Sequence, residues 1–440
     1  MKKLTDYKEE IHKCSKCGLC QSVCPVYEQT GNDCSVSRGK FIMLNGIIKG
    51  DLKLNKNINK YLDMCLKCNA CKNFCPSGID AREIFITAKS EYFKICPERK
   101  FISLFQSKFV FNLVLNLVKI ATTTYRFLNL DKIVTEFYPM FLKMGWFGKK
   151  VILANEFVST KQSEKCKMQK AKPLSLQTSK PLNAVYFKGC VNEYINPRAK
   201  IATENVLNKL GVEVLETQFK CCGVPFLSCG NTEQFKKQAE FNLAQIPDEF
   251  DYFLTDCASC QNAFEEYKNY IEDENLLKKL DKILEKSLNI NEFIIKNVES
   301  IEFEEITSFT FHKPCHLENT DFIREILVKS KNVEYIEMKD FDKCCGFSGE
   351  FAIKNPELSK QISLKKAQNA TDTNADFVLT TCPACILGLT QGTIETGQKF
   401  TPTSLVEFIA LAKISISMNS NKSKNKEGLE ENIETILVMD

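Results

Sequence analysis

The chain has 440 residues, of which 44% are hydrophobic, so it is long enough to bury the cores of about three domains. Its 59 basic and 55 acidic residues leave a net charge of +4, and its lysines form no basic patch, which argues against a nucleic-acid-binding protein. The 22 cysteines require either disulfides in an oxidising compartment or bound metal and redox chemistry.

The first residues favour the second of these alternatives. Met1-Lys2-Lys3 is followed by acidic residues, and neither the apolar stretch nor the cleavage site of a signal peptide follows. We therefore expect a reducing location, either the cytoplasm or the cytoplasmic face of the inner membrane. In that setting clustered cysteines bind metal or carry out redox chemistry.

Two matching cysteine runs dominate the N-terminal part. They are Cys14-x2-Cys17-x2-Cys20-x3-Cys24-Pro25 and Cys65-x2-Cys68-x2-Cys71-x3-Cys75-Pro76. Three thiolates at this spacing can wrap one corner of an iron–sulfur cube, and in two-cluster ferredoxins the distant Cys-Pro ligates the other cluster. The pattern predicts two [4Fe–4S] clusters, with ligands Cys14, Cys17, Cys20 and Cys75 for the first and Cys65, Cys68, Cys71 and Cys24 for the second. The alternative is a pair of structural zinc sites, which the two complete copies disfavour.

Apolar periodicity predicts a helix between the runs, around 41–48, and another at 79–95, so we assign residues 1–98 to an α-helical ferredoxin domain. Residues 99–159 form a predicted amphipathic connector, whose polar stripe argues against a plain membrane span. It is either a core helix or a surface for a partner, a quinone or the membrane. Residues 160–181 are rich in Lys, Gln, Ser and Pro and are predicted to be a linker.

The remainder is an internal repeat. The first copy contains Cys190, then Cys221-Cys222-Gly223, then Cys257 and Cys260; the second contains Cys315, then Cys344-Cys345-Gly346, then Cys382 and Cys385. The copies are offset by 123 to 125 residues throughout. We assign residues 182–305 to the first module, 306–415 to the second, and 416–440 to a disordered tail.

Each module alternates predicted strands with predicted helices. The strands 184–187, 251–254, 308–311 and 376–379 each end just before a cysteine, and helical stretches such as 232–246 and 356–371 lie between them. This alternation predicts a parallel α/β sheet in each module, so that five thiols meet in one crevice at the carboxyl ends of its strands. The fold class is therefore α plus α/β.

Several residues outside these sets have candidate roles of their own. His312 and His316 flank Cys315, so either could hydrogen-bond a cluster sulfur or supply a proton, or be a structural histidine at a strand end. We interpret Cys34 and Cys229 as buried thiols, Cys96 as a buried or incidental thiol, and Cys166 as having no role in a site. No Gly-x-Gly-x-x-Gly follows a predicted strand, which argues against a flavin or nicotinamide site on this chain.

Together, the two cysteine runs, Arg38-Gly39-Lys40 between them and the two Cys-Cys-Gly modules resemble the iron–sulfur subunit of glycolate oxidase. The relatives of that family are the partners of D-lactate dehydrogenase, the iron–sulfur subunit of anaerobic glycerol-3-phosphate dehydrogenase, and heterodisulfide reductase subunits. The resemblance covers residues 10 to about 410. It implies that one or both of the five-cysteine modules hold a further iron–sulfur cluster or zinc.

The resemblance also implies a function. A partner flavoprotein containing FAD would oxidise glycolate or lactate, and this chain would pass the electrons to a quinone or another acceptor. The chain would thus be a subunit of an oxidoreductase, with no substrate oxidation of its own. The alternatives are a heterodisulfide-reductase-like thiol or disulfide reductase and the glycerol-3-phosphate dehydrogenase subunit. A further alternative is a non-catalytic zinc protein.

Overall fold

The computed structural model describes residues 2–96, 182–317, 319–396 and 400–416. The predicted connector at 99–159, the linker at 160–181 with Cys166, and nearly all of the tail lie outside these ranges. Among the described residues, no helix has the length and apolar character needed to cross a bilayer.

The N-terminal part is helical. Its α-helices are α1 Lys8–His12, α2 Leu19–Ser22, α3 Pro25–Thr30, α4 Ser37–Lys49, α5 Lys56–Asp63, α6 Ala70–Asn73 and α7 Ala81–Ile95, with short 3₁₀ helices at Leu4–Tyr7 and Asp33–Ser35. The predicted helices around 41–48 and at 79–95 correspond to α4 and α7. Asp80 caps α7, since its side chain accepts a hydrogen bond from the Glu83 amide at 3.2 Å. A core that includes Phe41, Leu44 and Phe85 joins these helices behind the cysteine loops.

The first module is built on a four-stranded parallel sheet. Its strands are β1 Leu182–Phe187, β2 Val212–Val214, β3 Tyr252–Thr255 and β4 Ser287–Asn289, in the order β2-β1-β3-β4. Its helices are α8 Cys190–Tyr194, α9 Pro197–Lys209, α10 Val224–Ser228, α11 Thr232–Gln245, α12 Ala258–Glu266, α13 Glu274–Glu285 and α14 Ile290–Asn297. The last four residues of β1 are fully buried, as expected of a strand covered on both faces.

The second module repeats this plan with an additional edge strand. Its strands are β5 Val298–Phe311, β6 Ser330–Tyr335, β7 Phe377–Thr380, β8 Thr401–Ser404 and β9 Lys413–Ile416. The parallel order is β6-β5-β7-β8, and β9 pairs antiparallel with β5. Its helices are α15 Asp321–Lys329, α16 Gly349–Lys354, α17 Pro356–Thr371, α18 Pro383–Thr396 and α19 Leu405–Ala410. The predicted parallel sheets and helices are confirmed, and β5 runs through the predicted module boundary at 305/306.

The two modules share one hydrophobic core. Buried Val206 and Leu207 on α9 belong to the same apolar cluster as Phe408 on α19, together with Phe293 on α14 and Phe309 on β5. Burying apolar side chains from both modules in one cluster is the main favourable contribution to their association. This packing fixes how the cysteine-bearing ends of the two sheets face each other.

Candidate iron–sulfur sites

The two ferredoxin loops have the same unusual backbone. Lys16 and Gly18 in the first loop have φ of 60° and 88°, and their counterparts Lys67 and Asn69 have 59° and 60°. A residue in this left-handed region turns the chain sharply, so alternate left-handed residues curl the loop between its cysteines. The short helices α2 and α6 begin directly after Gly18 and Asn69. The two runs with the same cysteine spacing therefore adopt the same loop conformation.

The first predicted ligand set lines one cavity. Its four cysteines, Cys14, Cys17, Cys20 and Cys75, border a space of about 430 Å³, to which Cys71 also contributes. Cys17 is exposed and the other three are half-buried, so this cavity lies at the surface of the protein. The Arg38 guanidinium closes one side and donates to the Lys16 carbonyl at 3.5 Å. This places Arg38 beside the first cysteine loop.

The second predicted ligand set lines a separate cavity of about 450 Å³. Its cysteines are Cys24, Cys65, Cys68 and Cys71. Cys24 thus lies with the second run and not with its sequence neighbours, which is the crossed arrangement the sequence predicted. The Tyr27 amide donates to Cys24 Sγ at 3.5 Å and the Lys67 amide to Cys65 Sγ at 3.4 Å. Amide donors to sulfur are characteristic of iron–sulfur sites, where they stabilise the negative charge on the cluster.

Burial disfavours the deprotonated, thiolate form of these cysteines when no cation is bound. It raises the pKa of Cys71 to about 12, and it is also the main cause of the raised pKa of Cys24. A thiolate is the form that binds metal, and a bound cation supplies the charge that the apolar surroundings do not. Two cavities of nearly equal size, each lined by one complete predicted cysteine set, therefore fit two iron–sulfur clusters of the same kind.

In the first module the five cysteines lie at the carboxyl ends of β1, β2 and β3. Cys190 begins α8, the Cys221-Cys222 pair precedes α10, and Cys257 and Cys260 begin α12. The backbone conformation explains why glycine follows the two cysteines in Cys-Cys-Gly. Gly223 has φ of +90° and a Cβ there would lie 2.8 Å from Phe235; Gly346 has φ of +82° with a Cβ position 2.8 Å from Ile362. Only glycine fits this turn in either module.

The ten module cysteines form one continuous series. Cys190 Sγ lies 3.5 Å from Cys221 Sγ. From there the pKa of each thiol is shifted by its neighbour, in the order Cys221, Cys222, Cys260, Cys257, Cys382, Cys385, Cys345, Cys344 and Cys315. The second half of this series is the first half reversed, position for position, as a pseudo-twofold arrangement of the modules requires. The two groups of five meet at Cys257 and Cys382, which are equivalent residues.

This junction was not predicted, because the sequence indicated one separate crevice for each module. Ser259 Oγ lies 3.6 Å from Cys382 Sγ and 3.1 Å from His316 Nδ1, and the Ala258 amide donates to the Thr381 carbonyl at 3.2 Å. Ser259 belongs to the first module and the other two side chains belong to the second. The thiols of both modules thus share one buried region.

Hydrogen bonds between the thiols favour some of them as thiolates. Bonds from Cys221 and Cys260 lower the pKa of Cys222 to about 5, and bonds from Cys344 and Cys385 lower the pKa of its equivalent Cys345 well below the ordinary value. The neighbours that donate are correspondingly disfavoured as thiolates: the hydrogen bond to Cys222 is the main cause of the raised pKa of Cys260. Several anionic sulfurs packed this closely need a metal to neutralise their charge, so the donor set fits a bound metal centre.

The ferredoxin part approaches the second module at a cysteine pair. Cys68 of the second cavity packs with Cys315 and Cys344 in one apolar cluster. Burial raises the pKa of the Cys68 thiol, and the neighbouring Cys315 raises it further. Sequence reasoning missed this contact, because nothing local relates residues 247 positions apart.

A buried ion network surrounds the same interface. Lys89 of α7 is 1% exposed, and its Nζ lies 2.6 Å from an Asp63 oxygen and 2.5 Å from a Glu350 oxygen. Lys354 contacts both carboxylates at 2.7 and 2.6 Å, and Lys67 lies 3.7 Å from Glu350. Burial alone would raise the pKa of Glu350, but the three lysines outweigh it and lower the pKa to about 2. The network fixes α7 to α16.

The same helix also contacts the first module. Arg82 Nη1 lies 3.0 Å from Glu266, and the Ser90 and Thr232 hydroxyls are 3.2 Å apart. Arg82 and Lys89 were not identified from the sequence, although a signal exists. They share one helical face with Ile86 and Phe93 at steps of 4, 3 and 4, so charged residues stand in an apolar stripe, which indicates buried ion pairs.

The remaining candidates have mixed outcomes. Cys96 is buried, whereas Cys34 and Cys229 are half-buried, so the prediction of fully buried thiols was wrong for these two. His312 is fully buried, with Nδ1 3.2 Å from the Phe341 carbonyl oxygen. Burial lowers the pKa of His316 to about 4, so its imidazole is neutral at neutral pH.

Comparisons with known proteins agree with this arrangement. Residues 10–79 match the 4Fe-4S dicluster domain, and residues 184–265 and 309–390 each match the cysteine-rich domain. The chain is 23% identical over 410 residues to a probable glycolate oxidase iron–sulfur subunit of Bacillus subtilis (strain 168), covering 87% of this chain and 89% of that protein.

Two further relatives resemble it. One of the subunits of dihydromethanophenazine:CoB–CoM heterodisulfide reductase from Methanosarcina acetivorans is 24% identical, covering 87% of this chain and 89% of that protein. Lactate utilization protein A 1 of Bacillus cereus (strain AH820) is 26% identical, covering 47% of this chain and 90% of the relative. The chain therefore belongs to the iron–sulfur oxidoreductase subunits that join a 4Fe-4S dicluster domain to two cysteine-rich domains, among them the glycolate oxidase iron–sulfur subunit.

Proposed function

We propose that this chain is the electron-transfer subunit of a flavin-dependent 2-hydroxyacid dehydrogenase complex. It receives electrons from a partner flavoprotein that contains FAD and oxidises glycolate or lactate, and it delivers them to a quinone-type acceptor. The observation that carries the proposal is the unbroken succession of cysteine sites, from exposed Cys17 through both ferredoxin cavities to Cys315 and the modules.

Each link in this succession rests on a contact. Cys71 borders both ferredoxin cavities, so the two predicted clusters are adjacent. Cys68 and Cys315 join the second cavity to the second module, and Cys257 and Cys382 join the modules to each other. When clusters are bound, they supply one-electron redox chemistry. The chain contributes their order, their burial and the hydrogen bonds to their sulfurs.

The partner is needed for substrate oxidation. The sequence has no dinucleotide-binding fingerprint, so hydride abstraction from a 2-hydroxyacid belongs to another polypeptide. Exposed Cys17 and Lys16 favour the first cavity as the place where electrons enter from that partner, since the other cysteine sites lie deeper in the molecule.

Metal analysis tests the cofactor content. Two ferredoxin clusters alone correspond to about 8 iron atoms per chain after anaerobic purification, and two filled modules raise the count to about 16. We expect more than 8, with zinc measured on the same sample. Cys24→Ser should damage the cluster held by Cys65, Cys68 and Cys71, and Cys34→Ser, which removes a cysteine outside both predicted ligand sets, is the matched control. Loss of the other cluster's EPR signal in Cys24→Ser would contradict the crossed assignment.

Co-purification tests the partner. The native complex should contain a flavoprotein, and adding glycolate or lactate to it should reduce the iron–sulfur signals of this chain. The purified chain alone should bind no flavin and should reduce no dye with either substrate. A chain that carries stoichiometric FAD, or that oxidises a 2-hydroxyacid by itself, would overturn the assignment of substrate oxidation to a partner.

The meeting of the two modules favours a second candidate, a disulfide reductase. Cys257 and Cys382 face each other with Ser259 and His316 beside them, so the buried junction offers sulfur chemistry and hydrogen-bonding groups together. Reducing a disulfide to two thiols consumes two electrons and two protons. If this activity exists, the anaerobic protein should oxidise reduced methyl viologen when a disulfide is added. Viologen oxidation that is independent of disulfide would exclude it.

A further inference from the structure

One of the differences between the two modules lies at the end of the first strand, beside the thiols. In the first module Tyr186 and Phe187 pair with Leu254 and Thr255; in the second, Phe311 pairs with Leu379, the counterpart of Leu254, so His312 takes the place of Phe187. The Phe187 ring packs in an aromatic group, 4.9 Å from Phe219 and 5.0 Å from Phe264. The second module therefore has an imidazole where the first has a hydrocarbon ring.

The hydrogen bonding of His312 defines which ring nitrogen is free. Its Nδ1 lies 3.2 Å from the Phe341 carbonyl oxygen, which can only accept, so Nδ1 carries the proton. In the neutral ring, Nε2 then has a lone pair. Nε2 is buried and makes no well-formed hydrogen bond among the residues that the structure describes, although the ring is close enough to Cys345 to lower the pKa of that thiol. Leaving a buried polar atom without a hydrogen bond costs free energy. Metal-binding histidines commonly donate a hydrogen bond from their other ring nitrogen to a carbonyl oxygen, as His312 does here.

The His312 ring lies beside two of the module's thiols. A ring nitrogen of His312 and the Sγ atoms of Cys345 and Cys385 all lie within 4.8 Å of one another, and all three residues are buried. With metal–nitrogen bonds of about 2.0 Å and metal–sulfur bonds of about 2.3 Å, tetrahedral ligands lie about 3.3 to 3.8 Å apart. A movement of about an ångström would bring these atoms to a common metal, and Cys344 and Cys382 adjoin the group.

We propose that His312 is a nitrogen ligand of a metal centre in the second module, which makes that centre mixed in nitrogen and sulfur whereas the first module offers thiols alone. The proposal rests on the modules holding metal, as the proposed function has it. The metal is either iron of an iron–sulfur cluster or zinc, since both bind imidazole and thiolate. In an iron–sulfur centre, replacing thiolate by histidine raises the reduction potential. The centre beside Cys68 would then accept electrons more readily than the centre of the first module.

The chain suits a direct test because it contains only three histidines, His12, His312 and His316. The full chain is labelled with ¹⁵N-histidine and purified anaerobically, and its iron and zinc are counted. Pulsed EPR detects nitrogen bound to a paramagnetic iron centre, and X-ray absorption detects nitrogen bound to zinc. We expect one directly bound histidine nitrogen, which disappears in His312→Phe, the residue of the first module, and persists in His316→Gln.

A second variant guards against misfolding of the first. His312→Cys keeps a metal-binding group at the same place, so it should retain the metal with sulfur ligands only and, if the metal is iron, lower the reduction potential of that centre. The inference is overturned if the native chain has no bound histidine nitrogen, if the nitrogen persists in either His312 variant, or if His316→Gln removes it. About 8 iron atoms and no zinc would overturn this inference while leaving electron transfer by the ferredoxin domain intact. Absence of the ferredoxin clusters themselves would instead overturn the proposed function.

Discussion

Replacing Glu350 by Gln should break the buried ion network that fixes the ferredoxin part to the second module. In the native chain Lys67, Lys89 and Lys354 share two carboxylates, and Glu350→Gln leaves Lys89 and Lys354 with Asp63 alone and Lys67 with neither carboxylate. Lys67 contacts only Glu350 within this network and is 7% exposed, so it loses its ion pair; burial already lowers its pKa to about 8, and without Glu350 the charged form is disfavoured further. Removing one partner of a buried ion pair costs about 3–5 kcal/mol.

Lys89→Met is expected to cost less than Glu350→Gln. After it, Lys354 still lies 2.7 Å from Asp63 and 2.6 Å from Glu350, so each carboxylate keeps a cation. Lys89 and Glu350 are in direct contact, and neighbouring residues of one network do not act independently. The effects of the two substitutions should therefore differ from additivity by about 0.5–3 kcal/mol in the double variant.

Urea unfolding of the anaerobic holoprotein, followed by circular dichroism, measures these free energies. Glu272→Gln is the matched control: Glu272 contacts Lys236 at 2.8 Å, but it is 77% exposed, so its loss should leave the urea midpoint nearly unchanged. The reasoning fails if Glu350→Gln shifts the midpoint no more than this control does, or if the effects of Glu350→Gln and Lys89→Met simply add.

Three further predictions concern the modules. Burial raises the pKa of Asp256 to about 7, above its value in the unfolded chain. The protonated carboxyl therefore stabilises the folded chain fully at low pH, and this contribution is lost as pH rises through 7, by about 1.4 kcal/mol per pH unit between pH 5 and 7. The urea midpoints of Asp256→Asn should lack this slope. Gly346→Ala forces a left-handed residue into contact with Ile362 and should cost about 1–3 kcal/mol, whereas Gly349→Ala, with no atom within 4 Å of the new Cβ, should be nearly neutral in the same assay. Cys315→Ser should impair reduction of both modules by electrons from the ferredoxin clusters, whereas Cys190→Ser should spare the second module; equal impairment of the second module in rapid-freeze EPR would refute the order of the sites.

The sequence predicted those features of the sites that are local along the chain or repeated in it. The spacing Cys65-x2-Cys68-x2-Cys71 requires a tight loop, and the structure provides it with left-handed Lys67 and Asn69. The recurrence of Cys-Cys-Gly at a fixed offset predicted two equivalent α/β modules, because each copy must build the same strand ends. Such inferences need only geometry within about ten residues and the chemistry of thiolates.

The contacts between modules could not be predicted in the same way. Cys257 meets Cys382 because apolar residues of α9 and α19 pack in a common core, and no local pattern specifies which helix faces find each other. Lys89 is a comparable case, since its partner Glu350 is 261 residues away. A pair of buried opposite charges becomes evident only when the packing that excludes water from both is known.

The ferredoxin part breaks the symmetry of the duplicated modules. One helix, α7, contacts both modules, through Arg82 to Glu266 in the first and through Lys89 to Glu350 in the second. Among the residues that the structure describes, it is the second module whose cysteines, Cys315 and Cys344, pack with the ferredoxin cysteine Cys68. Two modules of similar fold thus occupy unequal places along the series of thiols. The second module packs Cys315 and Cys344 against Cys68, whereas the ferredoxin residue that packs with the cysteines of the first module is Ile86. If the modules hold redox centres, this difference gives them different places in electron transfer, because thiols of the second module pack directly with a ferredoxin cysteine. If His312 is a metal ligand, as proposed above, it modifies the centre of the module whose cysteines pack with Cys68, whereas the first module has Phe187 at that position.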